Sequence, residues 1–157
     1  MSKKKAKNKK EYIRDGRAPL PVNERTARTM SRIRGKNTKP ELRFRKALWH
    51  AGMKGYRLHY KNAPGKPDIA FPGRKLAIFV HGCYWHRCPY CRPSMPKTHS
   101  AFWKEKFRKN VERDQRKKEA LEDEDWTVLT IWECQIKKQM EEMVEAVREW
   151  YSKLPKS

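Results

Sequence analysis

The stretch that decides the fold is YRLHYKNAPGKPDIAFPGRKLAIFVHG, residues 56–82. Within it, YRLHY, PDIAFPG and KLAIFVHG are short runs rich in β-branched and aromatic residues, separated by Gly, Pro and Asn. Runs of that length between turn formers read as consecutive strands, here near residues 56–60, 67–72 and 75–81. Upstream, TKPE starts a helix, with Thr38 as N-cap, Pro40 in the first turn and Glu41 at the capping-box position. That helix runs to about Ala51, and Phe44, Ala47, Leu48 and Ala51 make its apolar stripe. A shorter arginine-rich helix near Glu24–Arg34 precedes it, ended by Gly35 and Asn37. Downstream, a long helix runs from Ser100, read as its N-cap, to about Glu122. WTVLTIWE, Trp126–Glu133, is nearly continuously apolar and reads as a strand buried on both faces. The C-terminal segment carries Met140, Met143, Val144, Val147 and Tyr151 at helical spacing. The order ααβββαβα predicts an α/β fold, a small mixed central sheet flanked by helices. No internal repeat interrupts it.

A chain of 157 residues has room for one packed domain. Residues 1–23, rich in lysine and closing in prolines, read as a basic disordered tail, leaving 24–157 as the domain. The net charge of +21 exceeds what solubility needs and points to a phosphate polyanion, nucleic acid first. No apolar run approaches the roughly 20 residues that span a bilayer. The lysine-rich start leads into no apolar signal core, so the expected location is the cytoplasm, with no membrane partner.

HGCYWHRCPYC, residues 81–91, holds three cysteines, two histidines and three aromatics. Cys83, Cys88 and Cys91 form C-x4-C-x2-C, and Cys134 stands at the end of the last strand. Four thiolates match the closed tetrahedral shell of structural Zn²⁺. A zinc deaminase also uses a C-x-x-C half, but its chemistry needs H-x-E upstream, and none occurs here. Zinc is therefore expected to anchor this loop to the strand at 126–133.

Between Leu42 and Lys104 the only carboxylate is Asp68. It is either a turn former after Pro67 or a ligand for a hard divalent cation. Pairing of its strand with the one ending in His81 would bring a carboxylate and an imidazole together. Phosphodiester hydrolysis asks for that pairing: Mg²⁺ to neutralise the phosphate and acidify water, and a group to move the proton.

GKPDIAF and IFVHGCYWH, followed by FWKEKFRKNVERD and VLTIWEC, resemble the very short patch repair endonucleases across residues 24–137. The resemblance implies a restriction-endonuclease-like variant of the PD-(D/E)xK fold in which the second acid and the lysine are replaced. It implies Mg²⁺-dependent nicking of double-stranded DNA 5′ of the thymine in T·G mismatches left by 5-methylcytosine deamination. By the same resemblance Asp68 and the main-chain carbonyl of Val80 hold Mg²⁺, His86 is the catalytic histidine, and Glu41 and His81 are supporting polar groups. Aromatics matching Tyr84, Trp85 and Trp103 wedge into the base stack, and the residue matching Asn110 lies near the metal's hydration shell. A monomer in the bacterial cytoplasm, held to the nucleoid by DNA and working with mismatch-repair proteins, is the expected setting. The chain departs from some members by having Val80 for Thr and Cys88 for His, with the third zinc ligand one residue further on. A second reading, a non-catalytic zinc-bearing nucleic-acid module, explains charge, thiols and aromatics while leaving Asp68 as a turn residue.

Overall fold

The computed structural model describes residues 18–157, and most of the expected basic tail lies outside them. The chain divides into two compact units, up to Ile33 and from Arg34 onward. The first holds helix α1 (Glu24–Ser31), whose N-cap Asn23 accepts the backbone N–H of Thr26.

The second unit carries α2 (Lys39–His50), β1 (Arg57–Leu58), β2 (Ile69–Phe71), β3 (Leu76–His81), α3 (Ser100–Glu122), β4 (Thr127–Trp132), α4 (Glu133–Lys138) and α5 (Met140–Lys153). Its sheet has the order β1-β2-β3-β4. The first two pairings are antiparallel, and β3 runs parallel to β4 in a register from Leu76↔Thr127 to His81↔Trp132. A parallel pair needs a crossover, and α3 supplies it. The fold class expected from the sequence is the one observed, a small mixed sheet flanked by helices.

Strand alternation sends side chains to two cores. On one face Ile69, Phe71, Leu76, Ile78, Val80 and Ile131 pack with Phe44 and Leu48 of α2, Ile136 of α4, and Val144 and Val147 of α5. On the other, Ala70, Ala77 and Phe79 meet Leu121 and Trp126. All six residues of β3 are buried, because helices cover both of its faces.

Several elements differ from the sequence reading. The strand buried on both faces is β3; β4 is mostly half-buried, since it is an edge strand and no further strand covers its outer edge. β1 shrinks to two residues because His59 leaves the strand at φ +46. His99, in a left-handed conformation, precedes α3, so Ser100 is its first residue rather than its cap. The C-terminal helix breaks at Gln139 (φ −139, ψ 42), giving α4 and α5.

Candidate active site

Two polar groups lie at one end of the sheet, joined by the consecutive residues Val80 and His81. The first is built around Asp68, which leads into β2. Its Oδ2 accepts the backbone N–H of Val80 at 2.8 Å, so the carboxylate closes the ladder where the strands part. Its Oδ1 has no hydrogen bond among the described residues; His59 Nδ1 lies 3.8 Å away. Burial pushes the Asp68 carboxyl up, and the nearby Glu41 adds to this. The Val80 N–H, His59 and Lys117 pull the other way without restoring the ordinary value. An oxygen held half-buried without a donor suits a hard cation that takes few protein ligands. The Val80 side chain packs in the core of the opposite face, so Val for Thr there leaves the main-chain groups in place.

Glu41 reaches the same region from α2. Its Oε2 accepts from Arg45 Nη2 at 2.9 Å and from the Asn37 N–H at 2.9 Å, and the Thr38 hydroxyl donates to Oε1 at 3.2 Å. Thr38 accepts the Glu41 N–H, the expected N-cap contact. Arg45 also donates to Asn37 Oδ1 at 2.8 Å and lies 3.2 Å from His59 Nε2, while its Nε is buried without a partner among the described residues.

The second group is His81, His86 and Asp114, which bring one ring nitrogen each and a carboxylate oxygen within 4.8 Å of one another. His86 Nδ1 hydrogen-bonds Asp114 Oδ2 at 2.5 Å, and the His81 ring stacks beneath His86 at 4.0 Å and 12°. Burial, then the neighbouring His86, lowers the His81 pKa to about 4, so this imidazole is neutral near pH 7. Burial raises the Asp114 carboxyl, but the His86 hydrogen bond and the charges of His86, His81 and Arg113 outweigh it and leave it below its usual range. Asn110, one turn earlier on α3, donates to the Trp85 carbonyl at 3.1 Å.

The four sulfurs of Cys83, Cys88, Cys91 and Cys134 also fall within 4.8 Å of one another. A tetrahedral Zn²⁺ with Zn–S near 2.3 Å needs sulfurs about 3.8 Å apart. Cys88 and Cys134 are 3.7 Å apart, and Cys134 donates its N–H to Cys83 Sγ at 3.3 Å. The thiol set thus fits a tetrahedral metal ion, drawing three ligands from one loop and the fourth from α4. Between this cluster and α3 sits an aromatic block. Trp85 lies 5.7 Å from Trp103, Tyr84 lies 5.3 Å from Phe107, and the Arg87 guanidinium covers Phe107 at 4.6 Å. Arg87 also donates to the carbonyls of Pro93 and Ser94. Tyr84 is exposed and Trp85 partly so, but Trp103, expected to face DNA, is buried beneath Trp85 at 7 % exposure.

Every site residue singled out in the sequence thus lies near one of these groups. The sequence reading assigned no role to Asp114, Arg45 or His59. Asp114 announced itself only as an acid on an otherwise inward stripe of α3. His59 meets Asp68 through the β1–β2 pairing, where its N–H donates to the Asp68 carbonyl at 3.0 Å, and spacing alone does not show that; the i,i+4 step from Glu41 to Arg45 on α2 was the signal that could have found Arg45.

Residues 22–92 match the family described as DNA mismatch endonuclease Vsr. The chain is 43% identical over 113 residues to the type II nicking enzyme V.XorIIP of Xanthomonas oryzae pv. oryzae, covering 72% of this chain and 82% of that one. Against the type II nicking enzyme V.NaeI of Lentzea aerocolonigenes the identity is 40% over 123 residues, 75% and 73% of the two chains. Against the DNA mismatch endonuclease Vsr of Escherichia coli K12 it is 34% over 128 residues, 79% and 81%. Together with the mixed sheet these likenesses define a DNA endonuclease with a restriction-endonuclease-like fold. Within that class, the chain belongs to the DNA mismatch endonuclease Vsr family. None of its described helices is long and apolar enough to cross a membrane.

Proposed function

We propose that this endonuclease nicks one strand of double-stranded DNA 5′ of the thymine in a T·G mismatch, the lesion left when 5-methylcytosine deaminates. The observation that carries the reading is an Asp68 carboxylate fixed by the Val80 N–H, with one oxygen unbonded, beside a hydrogen-bonded His86–Asp114 pair. Asp68 and the Val80 carbonyl would hold Mg²⁺. When bound, Mg²⁺ neutralises charge on the scissile phosphate and acidifies a water molecule.

His86 moves the proton. With Nδ1–H donated to Asp114, the lone pair on Nε2 is the free one, which gives the ring one defined basic atom. Neutral His81 stacked beneath fixes the ring plane and adds no like charge when His86 takes up a proton. Glu41 acts on Asp68 through its charge and is held in place by Arg45.

Tyr84 and Trp85 form the wedge, and Trp103 and Phe107 are its buried base. An apolar wedge costs a few kcal/mol of unstacking, least where a pair is already mismatched, which favours T·G over paired DNA. Asn110 fixes the backbone at Trp85 and thereby ties the wedge to α3. Zn²⁺ in the four thiols would stiffen the loop that carries both the wedge and His86. The setting that goes with this reading is a monomer in the bacterial cytoplasm, bound to nucleoid DNA and cooperating with mismatch-repair proteins.

The test is a panel of matched and mismatched duplexes, each strand labelled separately, with Mg²⁺ or with EDTA. Nicking of the T strand of T·G duplexes in Mg²⁺ alone, abolished by Asp68→Ala without loss of binding, is the expected outcome. Cleavage indifferent to the mismatch or to Asp68→Ala would refute the reading.

A further inference from the structure

The inward stripe of α3 is Trp103, Phe107, Asn110, Asp114, Lys117 and Leu121, at steps of four, three, four, three and four residues. Such a stripe packs on the sheet and is ordinarily apolar throughout. Here both ends are apolar and the middle three residues are polar, over the end of the sheet where Asp68 and His81 lie. A polar group on an inward face requires a partner. Asn110 has the Trp85 carbonyl and Asp114 has His86. Lys117 has neither a hydrogen bond nor an ion pair among the described residues; its ammonium lies 5.9 Å over the Phe79 ring, at the limit of a cation–π contact.

The stem of Lys117 is held in place. A Cβ placed on Gly65 (φ +69) would come within 2.8 Å of Lys117 Cβ and 2.9 Å of its Cγ, so only glycine lets the chain approach there. That glycine belongs to the loop that delivers Asp68 three residues later, so the loop and the lysine are packed as one piece. The charge of Lys117 acts on both polar groups of the site, on Asp68 and on His81. A half-buried cation, its stem packed against the loop that leads to Asp68, one turn beyond Asp114 on α3 and short of an anion, is built to receive one from outside the chain.

We propose that Lys117 binds a non-bridging oxygen of the scissile phosphate and is a substrate-contacting residue of the nicking reaction. The inference rests on the nicking activity proposed above and adds to it a cation supplied by α3. Its charge is worth most as negative charge builds on the phosphate during attack, and less in the ground state. The ammonium keeps its proton throughout; the proton lost by the attacking water goes to His86.

Lys117→Met keeps the stem against Gly65 and removes the charge, and Lys117→Arg restores a charge. Each is compared with the parent on a T·G duplex carrying either the natural scissile phosphate or an uncharged methylphosphonate there. Lys117→Met is expected to slow single-turnover nicking in Mg²⁺ by about 10²-fold, with zinc content unchanged, and Lys117→Arg to recover most of the rate. In EDTA, the methylphosphonate should weaken binding by the parent about tenfold and hardly affect Lys117→Met, and the methionine variant's salt slope should fall by about 1. A Lys117→Met protein that nicks at the parent rate, or that loses as much affinity as the parent on the methylphosphonate, overturns the assignment. Failure of the parent itself to nick T·G duplexes would instead strike the functional reading, since the methylphosphonate comparison judges Lys117 by binding alone.

Discussion

Replacing Glu41 with Gln separates what this residue does for the fold from what it does for Asp68. The Glu41 and Arg45 side chains are 4% and 10% exposed and meet at 2.9 Å, so the pair is buried and little screened. Removing one partner of a buried pair costs about 3–5 kcal/mol, because the other charge is left without compensation. Gln keeps one acceptor, but three donors converge on the original carboxylate, from Arg45, Asn37 and Thr38, and its own NH₂ must face one of them. Arg45 retains Asn37 Oδ1, which sets the expected loss at the lower end, about 3 kcal/mol. For a chain of this size that lowers Tm by roughly 9 °C. Calorimetry measures it, alongside the double variant Glu41→Met with Arg45→Leu, which removes both charges and should recover most of the stability. Nicking by the refolded double variant, assayed well below its Tm, then reports the role of the carboxylate at Asp68. A single variant melting within about 2 °C of the parent would refute the buried-pair reasoning.

His86→Ala is expected to slow nicking by roughly 10²–10⁴-fold with zinc still bound, and loss of zinc from that variant would mean that His86 serves the other metal. Cys134→Ser should release zinc and lower Tm rather than merely slow the reaction, because a structural ion contributes directly to folding; metal analysis and a melting curve decide it. Trp85→Ala should reduce the preference for T·G over matched DNA more than it reduces overall affinity, which the basic residues supply with strong salt dependence; equal losses on both duplexes would make Trp85 only a packing residue. His81 has a folded-state pKa of about 4 against 6.5 for the free side chain, so the unfolded chain binds the extra proton between those values. Its contribution to stability is complete above pH 6.5 and is lost as pH falls toward 4, by up to about 3 kcal/mol. His81→Phe should flatten that part of the stability curve, as followed by denaturant unfolding at stepped pH.

Short-range chemistry could be read directly from the order of the residues. Thr38, Pro40 and Glu41 specify a helix start through contacts within one turn, and the observed cap uses them. The C-x4-C-x2-C loop brings three thiols together over a few residues, and the lone Asp68 stood out against a basic background. What tertiary structure decided is which groups meet. The four-residue step from Asn110 to Asp114 showed a polar break in a helix stripe, but only the parallel β3–β4 crossover lays α3 across the sheet and sets Asp114 against His86. Burial of β4 was misread for the same reason: an apolar run reports its own composition and not whether a further strand covers its edge. His59 carries no local signal, since it reaches Asp68 through a two-residue strand pairing and a left-handed turn, whereas Arg45 stands at i,i+4 from Glu41 on one helix and was open to reading from spacing. Caps and loops are fixed by neighbours in the chain, whereas a buried charge finds its partner only after distant elements have packed, so the chemistry of this site was legible as residue types and its geometry only in the fold.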